Sequence, residues 1–544
     1  MIMKYKSITL LTIAFFIIFI IYIFASFKSS PSDRYSKSND PNEYLTFELL
    51  DNKTYSVTGF KDYPVKDLVI PSTHEGIDVT EIGQSAFNYK TYLGWLFLNL
   101  GEIETVVIPN TIKAIRSEAF AERKIANINL PDTIEIIEDR AFDSEAKKNI
   151  NIPKNIKSIG SYAFVCCNLA NEIYLDNIEL SPYALAFSSI KKVTFSDYYS
   201  KIPEGILEHS DVEELIIPSN CTEIENEAFE KCEITSFVFD ENIEKIGENA
   251  FYGNPLTYVE FNSQNIELGN DSFGDITTKL KININGDIPS NITMAFRNSS
   301  IDEINIEEND EYCMIDNALC TTSKTLLLAP NNFECFDNID GVASYAFYKR
   351  EFNKLIIPEN VIVYPNAFSF ATINSLELYA KSIYENAFYY SNINEAKIST
   401  KLIPDQSFYD VKKLTKIEFL EGVEVIYGHA FVCAFDLETI YLPSSLKTIE
   451  TGAFIQCHNL KNVYYTQISD ELGKPADMYA GSFVKYVSNI VGRDNRIEAT
   501  INPDLKIYIK RDMYDMCKEV WARIPTDEQY IYNDNLINHI EIIK

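Results

Sequence analysis

The sequence predicts a leucine-rich-repeat type of solenoid, β-rich and built of short parallel strands stacked about eighteen times with few short helical turns. One N-terminal transmembrane or signal helix precedes it. Three observations carry this prediction. An Ala-Phe pair recurs at steps that are mostly 20–23 residues long. Each step also carries the pattern Leu/Ile-x-x-Ile-x-Ile-Pro. Finally, Ile8 to Phe27 is an uncharged run of 20 residues.

The N-terminal run comes first. At about 1.5 Å per residue it makes roughly 30 Å of helix, the thickness of a hydrocarbon core. Lys4 and Lys6 precede it, and no small-x-small cleavage site stands before Lys28. Residues 1–27 therefore read as a signal anchor or a signal peptide, the length favouring the anchor. Either reading exports the rest of the chain, to a membrane-anchored or a secreted state at the cell surface. Basic residues flank the run on both sides, so charge does not set its orientation. Residues 28–43 are polar and proline-containing, and read as a stalk.

Repeats fill residues 44–500. Segments such as VVIPNTIKAIRSEAF (Val106–Phe120), INLPDTIEIIEDRAF (Ile128–Phe142), LIIPSNCTEIENEAF (Leu215–Phe229) and IYLPSSLKTIETGAF (Ile440–Phe454) align without gaps. The closing residue runs Phe87, Phe120, Phe142, Phe164, Phe187, Leu207, Phe229, Phe251, Phe273, Phe296, Leu319, Phe347, Phe368, Phe388, Phe408, Phe431, Phe454 and Phe483. Alternating apolar residues, as in Val106 and Ile108, point inward from a short strand. The Pro after them (Pro109, Pro131, Pro153, Pro218, Pro358, Pro443) cannot donate to a ladder and ends it. Three residues on, Ile112, Ile134, Ile156 and Leu446 point inward again. Asp240, Asn262 and Asn285 stand where Pro is expected.

These repeats resemble the BspA-type leucine-rich repeat of bacterial and protist cell surfaces. Leu45–Phe87 is similar to that family's N-terminal hairpin cap, Glu311–Pro330 to a display repeat with an extra hairpin, and Leu505–Pro525 to a strand-plus-helix exit cap within residues 501–544. The resemblance implies a curved solenoid used for adhesion or other protein binding, without catalytic residues. Its ligand would be a host extracellular-matrix or neighbouring-cell protein. The alternative is a membrane-anchored structural or assembly protein of the cell's own envelope.

Composition agrees with a binding protein. Net charge is −31 over 544 residues, which opposes nucleic-acid binding by counterion release. The five histidines are scattered, and no zinc-protease, nucleophile-elbow or phosphate-loop motif occurs. No catalytic, cofactor-binding or metal residue and no small-molecule substrate is expected. A calcium use of Asn309-Asp310-Glu311 lacks the several converging oxygens that a hard cation needs.

Ten cysteines could form a disulfide framework in an exported chain. Their placement favours buried free thiols instead. Cys167, Cys232 and Cys457 each stand three residues after the repeat Phe, and Cys221 occupies the Ile112 position. Cys433 and Cys457 are the pair best placed for an exception.

The outward residue of each strand should form one contact face. Its apolar and aromatic members, Tyr174, Ile216, Ile356, Tyr441 and Tyr464, are the candidate protein-contact residues, although β-propensity alone also favours such side chains on a strand. Trp95 is a further candidate. It lies in an apolar insert that lengthens the step from Phe87 to Phe120 to 33 residues, and it either contacts a partner or packs back on its own coil.

Overall fold

The computed structural model describes residues 38–543, apart from 39, 62–64, 89–102, 145–147, 308, 466, 468–474, 479–482, 492–495, 522–529 and 533–535. Ile8–Phe27, most of the stalk and Trp95 lie outside the described residues. Among those described, no helix is long and apolar enough to cross a membrane. The chain divides into two compact units, Met1–Ile234 with Asn249–Asn254, and Thr235–Glu248 with Pro255–Lys544. Both are parallel β-solenoid, about 18 turns between them.

The first unit opens on an antiparallel hairpin, Leu45–Leu49 against Tyr55–Phe60. The second strand of that hairpin starts a parallel ladder through Ile77–Ile82, Ala114–Ile115, Ile136–Ile137, Ser158–Ile159 and Glu179–Leu180. The Leu/Ile-x-x-Ile strands form two further parallel sheets, one of Asp67–Val69, Ile103–Val107 and Ile125–Asn129, the other of Glu172–Leu175, Lys192–Phe195 and Glu214–Ile216.

In the second unit Ser236–Phe239, Tyr258–Phe261, Leu280–Ile284 and Ile301–Ile306 make one such sheet. The extra hairpin follows, Tyr312–Ile315 with Ala318–Thr321. An eight-stranded sheet then runs Glu351–Ile357, Thr372–Leu378, Asn392–Ile398, Lys416–Phe419, Thr439–Leu442, Asn462–Tyr465, Lys506–Lys510 and Ile540–Ile543. The helix Tyr514–Trp521 covers the last coils, with the buried Trp521 indole donating to the Ala476 carbonyl at 2.9 Å.

The Ala-Phe pair has a physical role in every regular coil. The slot Phe is buried, and its N–H donates to the Ala carbonyl of the next coil, as from Phe120 to Ala141 and from Phe408 to Ala430. Successive rings stack. Phe87, Phe120, Phe142 and Phe164 lie 5.3, 5.5 and 5.7 Å apart. In the second unit Phe347, Phe368, Phe388, Phe408, Phe431, Phe454 and Phe483 repeat at 4.8 to 5.6 Å. The tight corner itself is made by the residues two before and two after the slot. Glu118 and Glu122 flank Phe120 in left-handed conformation at φ 58 and 55, and His429 and Cys433 flank Phe431 at φ 59 and 61. Such backbone costs a non-glycine residue about 1 kcal/mol, so stacking has to over-determine it. Gly205 takes this position where the Tyr183 ring lies 2.0 Å from where a Cβ would be.

Two expected slot residues change here: Leu319 lies in the strand Ala318–Thr321 of the extra hairpin, and Phe187 is displaced as well. Phe187 is not a slot residue. Leu185 is fully buried and donates to Ile206 as a slot residue does, while Phe187 lies two positions later, left-handed and 39% exposed, stacked on His209. The segment Tyr183-Ala-Leu-Ala-Phe offers both candidates, and hydrogen-bond register selects the leucine. The grid cysteines Cys167, Cys221, Cys232 and Cys457 are buried, as their placement predicts. All ten are free, and those three positions after the slot donate to the preceding coil's slot carbonyl. Cys232 Sγ reaches the Leu207 oxygen at 3.1 Å and Cys457 Sγ the Phe431 oxygen at 3.2 Å. Asn254, Ser210, Ser299 and Arg123 make the same bond, to Phe229, Leu185, Phe273 and Phe87. A buried carbonyl left without a donor would be costly, and these side chains serve it, whereas Ile276, Ala371, Val411 and Ala434 fill the same position with apolar groups.

Where Pro is missing, backbone N–H groups extend the ladder. Asn262 donates to Phe239 and Asn285 to Phe261, and the Asn285 side chain donates to Asn262 at 2.8 Å. Asn309 Oδ1 accepts from the Glu311 and Tyr312 N–H groups at 2.8 and 2.9 Å, so it shapes the hairpin turn.

Candidate protein-contact surface

Alternation puts one residue of each strand outward, and the strand register aligns these residues into columns. In the first unit Tyr174 pairs with Thr194 and Thr194 with Ile216. Tyr174 is 65% and Ile216 48% exposed.

The second unit carries a longer column on its eight-stranded sheet: Ile356, Glu377, Lys397, Glu418, Tyr441, Tyr464, Tyr508 and Glu541. Its middle is charged. Lys354 lies 3.0 Å from Glu377 and Lys397 4.0 Å from Glu418, so opposite charges alternate and hold one another. Ile356, 44% exposed, stands at one end of this charged run and the tyrosines at the other.

Tyr441 and Tyr464 stack at 4.8 Å, and Tyr464 and Tyr508 at 4.7 Å, with near-parallel planes. The Lys416 ammonium sits 4.8 Å above the Tyr441 ring, a cation–π contact. Desolvation between its neighbours raises the Tyr464 hydroxyl above the usual tyrosine range. The three rings therefore form a stiff amphipathic strip with edges and hydroxyls available to a partner. The structure brings the sequence candidates Tyr441 and Tyr464 together. Three strands separate Ile356 from them, and Tyr174 and Ile216 belong to the other unit.

Tyr508 escaped the sequence reading. About forty residues interrupt the repeat between the strands of Tyr464 and Tyr508, so its period gives no warning. A second juxtaposition was also hidden. Glu208 and Glu230 both follow a slot residue by one position, and His209 follows by two. Their ligating atoms lie within 4.8 Å of one another. Lys231 fills this group, its Nζ 3.0 Å from Glu230 and 3.5 Å from His209 Nε2. Burial and the neighbouring Glu230 and Glu227 carboxylates push Glu208 up to about 7. Desolvation and Lys231 hold His209 below its ordinary value.

Comparison with known families decides the relationship. Residues 94–211, 200–319 and 340–461 match the BspA type leucine rich repeat region, in 6 copies. The chain belongs to the BspA-type leucine-rich repeat family. Comparison with curated proteins gives no match. Among solved structures the chain is similar to a leucine-rich repeat protein from Bacteroides ovatus, at 17% identity and a TM-score of 0.32 over 92% of this chain and 100% of the other. A leucine-rich cell surface protein from Faecalibacterium prausnitzii matches at 17% identity and a TM-score of 0.27, over 89% and 98% of the two chains. The pneumococcal vaccine antigen PcpA matches at 18% identity and a TM-score of 0.28, over 92% and 96%. At such scores these likenesses add nothing to the family match and the coils themselves.

Proposed function

We propose that this BspA-type protein is a non-catalytic, adhesin-like scaffold that binds other proteins at the cell surface, held there, or exported, through the apolar segment of residues 1–27. The stacked strip of Tyr441, Tyr464 and Tyr508 carries this reading. Tyrosine is stiff and amphipathic, loses little entropy on binding, and is over-represented among interface hot spots. The acidic balance and the absence of catalytic motifs in the sequence support a binding role. Ile356 is a secondary contact on the same column, and Tyr174 and Ile216 are secondary contacts on the column of the first unit.

Cells carrying the chain, tested on immobilised extracellular-matrix proteins, discriminate this reading. Adhesion that is lost when the chain is deleted supports it. Unchanged adhesion with a disturbed envelope would favour an assembly role in the cell's own wall. Fractionation and the mature N-terminus decide between anchored and released forms.

A further inference from the structure

The regular stack opens once in the second unit. Phe296 stacks back on Phe273 at 4.9 Å, and Phe347 stacks forward on Phe368 at 5.1 Å. Between these two slot residues the chain spends 51 residues and builds the extra hairpin. A cleft of about 690 Å³ lies between these coils, lined by both Phe296 and Phe347 and bridged by Arg297 to the Tyr345 and Tyr348 rings. That is the size of a small-molecule site.

Two properties set the chemistry of the cleft. First, Arg350 lines it and is half-buried. Its guanidinium donates to the Ala329 carbonyl at 3.1 Å and to the Pro330 carbonyl. Burial lowers it only to about 10, so it stays charged at neutral pH, and no carboxylate among the described residues pairs with it. By contrast Arg297, at the other side, is already held by Asp271 through two hydrogen bonds. A half-buried guanidinium with unused donors suits a planar oxyanion, which it can grip in a fork. Lys349 adds an exposed ammonium to the lining, 5.5 Å from the Tyr348 ring. Second, the Tyr345 and Tyr348 rings form a half-exposed wall, stiffened by the Arg297 guanidinium 5.7 and 4.9 Å from their centroids. Opposite them, Asn331 and Ser300 are joined at 2.6 Å and present amide and hydroxyl groups. Aromatic faces beside amides and hydroxyls match a ring that is apolar on its faces and rich in hydroxyls at its edge.

We propose that this cleft binds a carboxylate-bearing saccharide, its carboxylate on Arg350 and Lys349 and its ring against Tyr345 and Tyr348. This role is separate from the tyrosine strip on the strand face, and either can fail without the other. Asp275 and Glu351, which also line the cleft, set the limit on charge. They would repel a polyanion, so the site favours one carboxylate on an otherwise neutral sugar.

Titration of the full chain with methyl glucuronide and with methyl glucoside, which differ only in the carboxylate, tests the proposal. The glucuronide should bind at least about tenfold more tightly, the value of one charge-assisted pair, and its affinity should fall with added salt. Tyr348→Ala and Lys349→Ala should each weaken it by about tenfold with the melting temperature unchanged, since both side chains are partly exposed. These two carry the test if Arg350→Gln fails to fold. Equal affinity for the two glycosides would overturn the proposal. So would acetate competing as effectively as the glucuronide, or no binding of either glycoside at millimolar concentration.

Discussion

Asn254 offers the sharpest test of why the coils hold together. It is buried, and its amide satisfies three backbone groups: the Phe229 carbonyl at 2.7 Å, the Phe251 carbonyl at 3.1 Å and the Ile234 N–H at 3.2 Å. Asn254→Ala strands the Phe229 carbonyl and the Ile234 N–H, while the Phe251 carbonyl keeps the backbone N–H of residue 254. An unsatisfied buried group costs about 1–3 kcal/mol, and one water entering the vacated space can serve one of them, so a net loss of about 3 kcal/mol is expected. Asn254→Cys should cost only about 1 kcal/mol, because a thiol three residues after the slot makes the same bond to the preceding carbonyl from Cys232 and Cys457. A repeat array need not unfold in one step, so a local readout is better than a global melt. Amide exchange around Ile234 should quicken by about a hundredfold in the alanine variant and by about five- to tenfold in the cysteine variant. If cysteine proved as damaging as alanine, or alanine changed exchange by less than about threefold, the role given to this donor would be wrong.

Three other outcomes follow from the same geometry. Glu208 has a folded pKa raised to about 7 by burial and by Glu230 and Glu227, above its ordinary 4.5. Its protonated form is thus favoured on folding. The stability it contributes is full below about pH 4.5 and is lost as pH rises through about 7. Glu208→Gln should therefore stabilise the chain by about 1 kcal/mol at pH 8, discounted for its solvent exposure, and change little at pH 4, as pH-dependent melting would report. Denatured, unreduced protein should titrate most of its ten cysteines as free, with the exposed Cys335 reacting first in the native state and the buried Cys232 and Cys457 last. Four or five disulfides would contradict this. Deletion of Ile501–Lys544 removes two strands of the eight-stranded sheet and the Trp521 cover, so it should cause aggregation or fraying that exchange measurements localise to Asn462–Tyr465. A soluble monomer with an unchanged melting profile would refute it.

The solenoid was legible because each coil repeats the same inward positions. Ile112, Ile134, Leu446 and Cys221 are all buried, as their shared offset requires. What stayed hidden depends on hydrogen bonds or on neighbours in other coils. Cysteine, serine, asparagine and arginine share no hydropathy, yet each donates from three residues after a slot, a role that shows only once the carbonyl it serves is seen. Leu185 and Phe187 both follow an alanine, and only backbone register separates them. Glu208, His209 and Glu230 meet because they lie one coil apart, and alignment by coil offset would have shown it. Tyr508 joined the tyrosine strip only once the long interruption before it was closed by pairing with Asn462–Tyr465.

The contact surface is the central claim, and adhesion by a face variant tests it most directly. Cells displaying the chain with Tyr441→Ala, Tyr464→Ala and Tyr508→Ala together would be compared with wild type on immobilised matrix proteins, with surface display and melting measured in parallel. Removing three stacked rings from a hot spot should lower the affinity at least about a hundredfold while display is unchanged. Wild-type adhesion by the triple variant would contradict the assignment of this face.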